Sequence, residues 1–163
     1  MRGPTVLRVT ITDYPNIVTR NSLIPLKGYV NNTGNYQVNN TWLNWTLPSG
    51  WSNQTDNLSQ FIGNLTPGKL GWNNITANIS ISAQLGAQEI ELRAAGDDEP
   101  EDWDTVTITV YANTNIPYVN ISDTSPYRNQ TVTVIARLVY DNGTPIAGET
   151  IDFYLDSHYL CLL

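Results

Sequence analysis

Residues 74–82 read Asn-Ile-Thr-Ala-Asn-Ile-Ser-Ile-Ser, and this strict alternation of apolar and polar side chains decides the fold class. Ile75, Ala77, Ile79 and Ile81 occupy every second position, while Asn, Thr and Ser fill the positions between them. Successive side chains of a β-strand point to opposite faces of the sheet, so the segment predicts a strand with one core face and one solvent face. Helical periodicity is nearly absent from the rest of the chain, which predicts an all-β protein.

The same period of two residues recurs along the first 112 residues. Turn-forming groups, among them Pro15-Asn16, Pro48-Ser49-Gly50 and Pro67-Gly68, separate the alternating segments. The other predicted strands are residues 5–12, 23–31, 41–47, 58–62, 88–94 and 105–111. About seven short strands at this spacing predict an immunoglobulin-like β-sandwich, in which two sheets pack through their apolar faces.

The alternation pauses after residue 112 and then resumes. The predicted organisation is therefore a first domain at 1–112, a linker at 113–117 and a second region at 118–163. The predicted core positions of the second region are Val119, Ile121, Val132, Val134, Ala136, Leu138, Tyr140, Ile151, Phe153 and Leu155. Asp141-Asn142-Gly143 predicts a tight turn, because Asn and Gly tolerate positive φ.

These strands supply about half of another immunoglobulin-like sandwich, which leaves one apolar face and its strand edges uncovered. Two alternatives follow. Either the second domain continues beyond the sequence given, or a neighbouring subunit provides the missing strands. Residues 157–163 could be a strand exchanged with such a partner.

Asparagine is the second informative feature. The chain has 19 Asn, and 11 of them begin an Asn-x-Ser/Thr sequon, whereas composition predicts about three (19 Asn times 28 Ser and Thr in 163 residues). The sequons begin at Asn31, Asn39, Asn44, Asn53, Asn57, Asn64, Asn74, Asn78, Asn120, Asn129 and Asn142. N-linked glycan is added to such sites on chains that enter a secretory or extracellular space, so the excess predicts an extracellular, cell-surface location. The alternative is a Thr- and Asn-rich β protein with accidental sequons.

The charge balance narrows the class of partner. The net charge is −7 and the isoelectric point is about 4.4, which argues against nucleic acid and anionic membranes because both require basic patches. No apolar run reaches membrane-spanning length, and no signal peptide is visible at Met1, so we expect an exported parent protein to carry its signal and anchor elsewhere. Cys161 is the single cysteine, which excludes a disulfide within the chain.

An acidic run contains six of the chain's fifteen carboxylates within eight residues: Asp97, Asp98, Glu99, Glu101, Asp102 and Asp104. Crowded carboxylates repel one another unless a cation or solvent offsets the charge. One interpretation is a structural Ca²⁺ that stiffens the loop, since calcium takes oxygen ligands from loops of extracellular modules. The alternative is a solvated hairpin tip, and the spacing does not match an EF-hand loop.

The aromatic side chains suggest a second candidate site, provided that they are exposed. A platform that binds carbohydrate through the apolar faces of sugar rings could be lined by Trp42, Trp51 and Trp72, together with the other aromatic residues Trp103 and Tyr36. The alternative is that these side chains cover the ends and loops of the sandwich.

Sequence signals for catalysis are weak. His158 is the only histidine, and no Ser–His–Asp set can be assembled around it. His158 and Cys161 are three residues apart, but two ligands are weak evidence for zinc. The sequence therefore predicts a protein that is not an enzyme.

Several segments, in order, resemble known surface modules. They are Val-Leu-Arg-Val-Thr-Ile (6–11), a strand running into Asn-Thr-Gly (24–34), Leu-Thr-Pro-Gly (65–68), Ile-Glu-Leu-Arg-Ala (90–94) and Thr-Val-Thr-Ile-Thr-Val (105–110). Together, over about residues 5–112, they resemble the CARDB and S-layer-associated Ig-like modules of archaeal and bacterial surface proteins. Glu101-Asp102-Trp103-Asp104 replaces the usual Asn-rich end of the acidic loop, so the resemblance does not extend to that loop's role.

The second region is similar to bacterial Ig-like modules of the invasin type, over about residues 117–156. The matching run is Ala-Arg-Leu-Val-Tyr-Asp-Asn-Gly-Thr-Pro-Ile-Ala-Gly-Glu-Thr-Ile-Asp-Phe (136–153). Both resemblances imply a non-catalytic spacer, lattice or adhesive module of an archaeal-style, S-layer-like cell-surface protein, whose partners are neighbouring modules, subunits or glycans. The alternatives are a carbohydrate-binding accessory of an exported hydrolase and a filament subunit completed by strand exchange.

Overall fold

The computed structural model describes residues 6–55, 57–97, 99–155 and 158–160. The strands in these residues are β1 (Leu7–Asp13), β2 (Ile17–Thr19), β3 (Ser22–Asn32), β4 (Val38–Thr46), β5 (Trp51–Asn53), β6 (Ser59–Leu65), β7 (Leu70–Ile79), β8 (Gly86–Ala95), β9 (Asp102–Tyr111), β10 (Thr114–Ile121), β11 (Val134–Tyr140), β12 (Phe153–Leu155) and β13 (His158–Leu160). No helix in this described part has the length and hydropathy to cross a membrane. The chain separates into two compact units, Met1–Tyr111 and Ala112–Leu163.

The first unit is a β-sandwich of two sheets. One sheet has four strands in the order β1-β3-β7-β5, and the other has five in the order β2-β9-β8-β4-β6. Neighbouring strands are antiparallel except β2 and β9, which run parallel. This arrangement of one four-stranded sheet against a sheet built on β4, β8 and β9 is that of immunoglobulin-like sandwiches, so the predicted all-β fold class is confirmed.

Alternation places the core where the sequence predicts it. The inward residues of both sheets form one apolar cluster, whose fully buried large side chains include Leu7, Leu26, Val30, Leu43, Ile79, Ile90, Leu92, Ile108 and Val110. Ile81 is an exception, because β7 ends at Ile79 and a turn follows, closed by a hydrogen bond from the Ala83 N–H to the Ser80 carbonyl. Ile81 is consequently exposed, whereas its place in the alternation predicted a core position.

The sheets approach each other closely at Gly28, in the middle of β3. A Cβ atom at this position would lie 2.3 Å from Cδ2 of Leu92 in the opposite sheet and 3.0 Å from the Thr10 carbonyl oxygen. A hydrogen atom is therefore the only side chain that fits, and Gly28 is part of the core face rather than of a turn.

The second unit contains two small sheets, β10–β11 and β12–β13. A two-stranded sheet that no other layer covers leaves both of its faces open to solvent. Val119 and Ile121 are accordingly exposed, contrary to the predicted core, while Val139 is the buried apolar residue among those described in this unit. The other predicted core positions with described side chains are half-buried. They are Val132, Val134, Ala136, Leu138, Tyr140, Ile151 and Phe153.

Most of the segment predicted as a linker belongs to β10, because Thr114 and Asn115 pair with Tyr140 and Val139 of β11. The register shifts between Asn115 and Tyr118, where Pro117 has no N–H to offer the ladder. The predicted turn at 141–143 forms, with Gly143 at a φ of 81°. Within the tail at 157–163, His158–Leu160 pairs with β12, and the other residues, Cys161 among them, lie outside those described.

Candidate functional site

The eleven sequons lie mostly at the surface. Eight acceptor asparagines are exposed: Asn39, Asn57, Asn64, Asn74, Asn78, Asn120, Asn129 and Asn142. Asn74 and Asn78 are on the outward face of β7, where they alternate with the buried Ile75, Ala77 and Ile79. The strand period thus directs these acceptors away from the core, as a glycan requires.

Two further acceptors, Asn31 and Asn44, are half-buried on outward strand positions. The Oδ1 atom of each is buried and has no hydrogen-bond partner among the described residues. Asn44 lies between Ser59 of β6 and Arg93 of β8 in the register of the five-stranded sheet. These register partners flank Asn44 on both sides, and the residue stays partly exposed.

Asn53 differs from the other ten acceptors because it is 5% exposed. The short strand β5 turns its first and third residues, Trp51 and Asn53, toward the interior. The Asn53 Nδ2 atom donates to Oγ1 of Thr55 at 2.9 Å and to the carbonyl of Asn57. The nitrogen that would carry a glycan is thus committed to hydrogen bonds inside the fold.

Aromatic side chains lie on the outward face of the five-stranded sheet. Trp42 and Phe61 are register partners on β4 and β6, and their ring centroids are 4.8 Å apart with the planes at 49°. On the other side of β8, Trp103 of β9 lies beneath Arg93, whose guanidinium carbon is 5.1 Å from the ring centroid. Trp42, Phe61 and Trp103 each remain at least two-fifths exposed.

Arg93 links this aromatic face to two carboxylates. Its Nε lies 3.0 Å from Oε1 of Glu91, and its Nη1 lies 2.9 Å from Oε2 of Glu101. The hydrogen bonds to Glu91 and then to Glu101 raise the pKa of Arg93 further above its ordinary value. Because the side chains of Arg93 and Glu101 are 41% and 51% exposed, the ion pairs orient Arg93 over Trp103 more than they stabilise the fold.

The predicted sugar platform of Trp42, Trp51 and Trp72 does not form. Trp51 is 8% exposed and belongs to the core, because β5 turns it inward. Trp42 and Trp72 are exposed, but they lie on the outward faces of different sheets, so the sandwich separates them. Trp72 instead contacts its register partner Tyr29, at a centroid distance of 5.0 Å.

The carboxylates of the acidic run point to different parts of the first unit. The pairs are Asp97 with Asn40 Nδ2 (2.6 Å), Glu99 with the Tyr36 hydroxyl (2.5 Å), Glu101 with Arg93 Nη1 (2.9 Å), Asp102 with the Val9 N–H (2.7 Å) and Asp104 with the Ile11 N–H (2.8 Å). The hydrogen bond to Glu99 raises the pKa of Tyr36. Asp98 lies outside the described residues. Among those described, no three His, Cys, Asp or Glu side chains converge on a possible metal position.

Because the five described carboxylates of the acidic run each bond to a different partner, we expect calcium to leave the melting temperature unchanged. A site with a dissociation constant of about 1 mM would add about 1.4 kcal/mol to the free energy of unfolding at about 10 mM Ca²⁺. That gain would raise the melting temperature of a domain this size by several degrees. Scanning calorimetry with and without Ca²⁺, with Mg²⁺ as the control for ionic strength, decides the matter. A rise specific to Ca²⁺ would restore the calcium interpretation of the acidic run.

Asp102 and Asp104 have a structural role that the acidic composition of the run does not indicate. Both continue the inward register of β9, which runs through Val106, Ile108 and Val110. Their side chains therefore reach the backbone of β1 at the corner between the sheets. The signal was present in the sequence, since counting back by two from Val106 reaches both aspartates.

Two buried asparagines were also missed. Asn73 follows the inward period of Gly71 and Ile75 on β7, and its Nδ2 donates to the carbonyls of Leu43 (2.7 Å) and Leu58 (3.1 Å). Asn32 is fully buried at the end of β3. An Asn in an inward register position is the signal that could have identified both of them.

Comparison with known proteins finds matches only among solved structures. No family model matches the chain, and no curated protein does. The chain is similar to the CARDB domain of the PF1109 protein from Pyrococcus furiosus, crystallised in complex with di-metal ions, at 20% identity and a TM-score of 0.49 over 64% of this chain and 87% of that one. The solution NMR structure of the same domain matches at 19% identity and a TM-score of 0.49, over 68% of this chain and 97% of that one.

A third match is E. coli alpha-2-macroglobulin, at 15% identity and a TM-score of 0.51, over 71% of this chain and 7% of that one. At these identities the likeness concerns the β-sandwich fold alone. The predicted CARDB resemblance is matched at that level, and the comparisons show nothing of an invasin-type module.

Proposed function

We propose that the chain is a non-catalytic structural or adhesive module of an N-glycosylated, extracellular cell-surface protein of S-layer type. The observation that carries this proposal is the excess of sequons together with their outward placement. Eleven sequons occur where composition predicts about three, and eight of the acceptors are exposed. Accidental sequons in a β protein would account for the facing of polar residues, but not for their number.

A surface role also fits the composition of the outward faces. Only 14% of residues are charged, and the outward strand positions carry Asn, Thr and Ser together with exposed aromatics. Attached sugar would supply the solubility that charge supplies in an ordinary soluble domain. The acceptors then serve as attachment points for a hydrated coat over both sheets.

Neighbouring modules or subunits are the proposed partners. In the second unit, the strand residues Val119, Ile121 and Ile135 are exposed on β10 and β11. An adjoining domain or subunit of the same surface protein would cover such residues, and strand exchange within a filament is the variant of this arrangement in which the partner contributes a strand.

Carbohydrate binding by an accessory module is the second candidate function. The observation that favours it is the outward aromatic face of the five-stranded sheet, formed by Trp42, Phe61 and Trp103. Aromatic faces of this kind stack on the apolar faces of sugar rings. This face replaces the platform that included Trp51 and Trp72.

We expect Asn74 and Asn78 to carry glycan and Asn53 to carry none when the chain is secreted from an N-glycosylating eukaryotic cell. The reason is geometric, since the first two acceptors are exposed and Asn53 is hydrogen-bonded in the interior. Enzymatic release in heavy-oxygen water followed by peptide mapping marks each formerly occupied asparagine as a labelled aspartate.

Thr76→Ala is the matched control, because it removes the sequon at Asn74 and leaves that at Asn78 intact. Label should then disappear at Asn74 alone. If neither Asn74 nor Asn78 is occupied in the secreted, folded protein, the proposed function is wrong.

A further inference from the structure

An aromatic residue stands two positions before the asparagine in seven of the eleven sequons. The pairs are Tyr29/Asn31, Trp42/Asn44, Trp51/Asn53, Trp72/Asn74, Tyr118/Asn120, Tyr127/Asn129 and Tyr140/Asn142. With 16 aromatic residues in 163, composition predicts about one such pair (11 sequons times 16/163). The spacing between aromatic residue and acceptor is therefore a feature of the sequons themselves.

Strand geometry gives this spacing a meaning. Residues two apart on a strand share a face, and their Cα atoms are separated by about 6.8 Å. Three of the pairs lie on outward faces of strands, with the aromatic residues Tyr29 on β3, Trp42 on β4 and Trp72 on β7. A fourth pair, that of Tyr118, lies on β10, whose residues are all exposed. Trp42 is 44% exposed, Trp72 is 45% exposed and Tyr118 is 50% exposed. These three side chains are exposed next to an acceptor, and Tyr29 is half-buried.

The four-stranded sheet shows the arrangement most fully. Tyr29 and Trp72 face each other across β3 and β7, with their ring centroids 5.0 Å apart. Because the strands are antiparallel, Asn74 follows Trp72 toward one end of the sheet and Asn31 follows Tyr29 toward the other. A single aromatic pair thus lies between two glycan acceptors.

The chemistry of the first sugar fits these rings. A pyranose ring has a face of C–H bonds with slight positive charge, and the face of an indole or phenol ring is slightly negative. A sugar attached to Nδ2 of the asparagine is one side chain away from the aromatic residue on the same face. Stacking would remove apolar surface of both partners from water.

We propose that Trp42 and Trp72 are stacking sites for the first pyranose residues of the glycans on Asn44 and Asn74, and that Tyr29 and Tyr118 act likewise for Asn31 and Asn120. The glycans then lie along the sheet faces and stabilise the fold, rather than extending freely into solvent. This inference rests on the proposed N-glycosylation and adds to it the surface on which each sugar packs.

The chain supplies its own comparisons. Asn78 is on the same face of the same strand as Asn74, but Thr76 takes the place of the aromatic residue before it. Trp103 is exposed and has no acceptor two residues later. A glycan without a ring and a ring without a glycan are therefore available in the same unit.

The test is a double-mutant cycle on the secreted, glycosylated chain, with Asn74→Gln, Trp72→Ala and both together. With Trp72 present, loss of the Asn74 glycan should lower the melting temperature by about 3–6 °C. In the Trp72→Ala background, the same loss should lower it by less than about 1 °C. The equivalent cycle with Asn78→Gln should show no coupling to Trp72. The cycle of Asn74→Gln and Trp72→Ala should also show no coupling when the chains are produced without glycan.

A spectroscopic measurement checks the contact without relying on stability. Ring currents should move the proton resonances of the first sugar on Asn74 upfield in the unsubstituted protein. Trp72→Ala should abolish this displacement and Trp103→Ala should preserve it. Occupied Asn74 with additive melting effects and undisplaced sugar resonances would overturn the inference alone. Glycan on Asn78 with none on Asn74 or Asn44 would also overturn the inference alone. Absence of glycan from both Asn74 and Asn78 by peptide mapping would overturn the proposed function and the inference with it.

Discussion

Replacing Asn32 by alanine is expected to lower the free energy of unfolding by about 3–5 kcal/mol. Asn32 is fully buried, and its Nδ2 donates to the carbonyls of Tyr36 (2.8 Å) and Leu65 (2.7 Å). Its Oδ1 accepts from the Gly34 N–H at 2.9 Å. Alanine would leave these three backbone groups without their partner. The bond to Leu65 is buried and those with Tyr36 and Gly34 are partly buried, and an unpaired buried group costs about 1–3 kcal/mol.

The effect reaches three segments because Asn32 joins them. Its side chain connects the turn after β3 to the end of β6, and its own carbonyl accepts from the Gly68 N–H at 2.7 Å in the loop before β7. Loss of the side chain should therefore loosen the whole end of the sandwich at which these loops meet, rather than one hydrogen bond.

Equilibrium denaturation with urea measures this prediction. Asn35→Ala is the matched control, because Asn35 is an exposed asparagine in the same turn and its loss should cost less than about 0.5 kcal/mol. Asn32→Asp keeps the shape and the acceptor for Gly34 but loses both donated bonds, so it should resemble the alanine variant in cost. If the substitutions at positions 32 and 35 have equal effects, the assigned role of Asn32 is wrong.

The period of the sequence predicted the sandwich because burial of one sheet face imposes it at every second residue. It identified the inward Ile75, Ala77 and Ile79 correctly for this reason. The period does not say whether another layer covers an apolar face. Val119 and Ile121 alternate as core residues do, yet the two-stranded sheet of β10 and β11 leaves them exposed.

Strand order is the other property that local sequence does not contain. Trp42 and Trp72 are both outward residues of strands, and only the pairing of β4 with β8 and of β7 with β3 assigns them to different sheets. Trp51 lies on a strand of three residues, which is too short for a period to reveal its inward direction. The sugar platform predicted from composition therefore failed through topology rather than through exposure alone.

The acidic run shows the same limit for charged residues. Asp102 and Asp104 bond to backbone groups 93 residues earlier in the chain, where β1 runs along the corner of the sandwich beside β9. Composition indicated a cluster of charge and suggested a cation. The donors that engage these two carboxylates are instead main-chain N–H groups, which no count of acidic residues reveals.

Replacing both Asp102 and Asp104 by alanine is expected to lower the free energy of unfolding by about 2–4 kcal/mol and to promote self-association. β1 is an edge strand, because β3 lies on one side of it and no strand of the described residues pairs with the other. Val9 and Ile11 donate their N–H groups from that free side to the two aspartates. Without the carboxylates, the edge would present unpaired donors to the strand of another molecule.

Urea denaturation and light scattering at increasing protein concentration measure the two parts of this prediction. The matched control is Asp97→Ala with Glu101→Ala, which removes two charges of the same run without touching β1. If the two aspartates acted only through charge repulsion, both pairs of substitutions would change stability and self-association equally. That outcome would contradict the role of Asp102 and Asp104 in covering the edge of β1. The variant with Asp102→Asn and Asp104→Asn retains an acceptor oxygen at each position, so it should remain largely monomeric where the alanine variant associates. Inward aspartates at this corner would then be the device by which the sandwich keeps its first strand from pairing with neighbours, and association in the surface layer would be left to other faces.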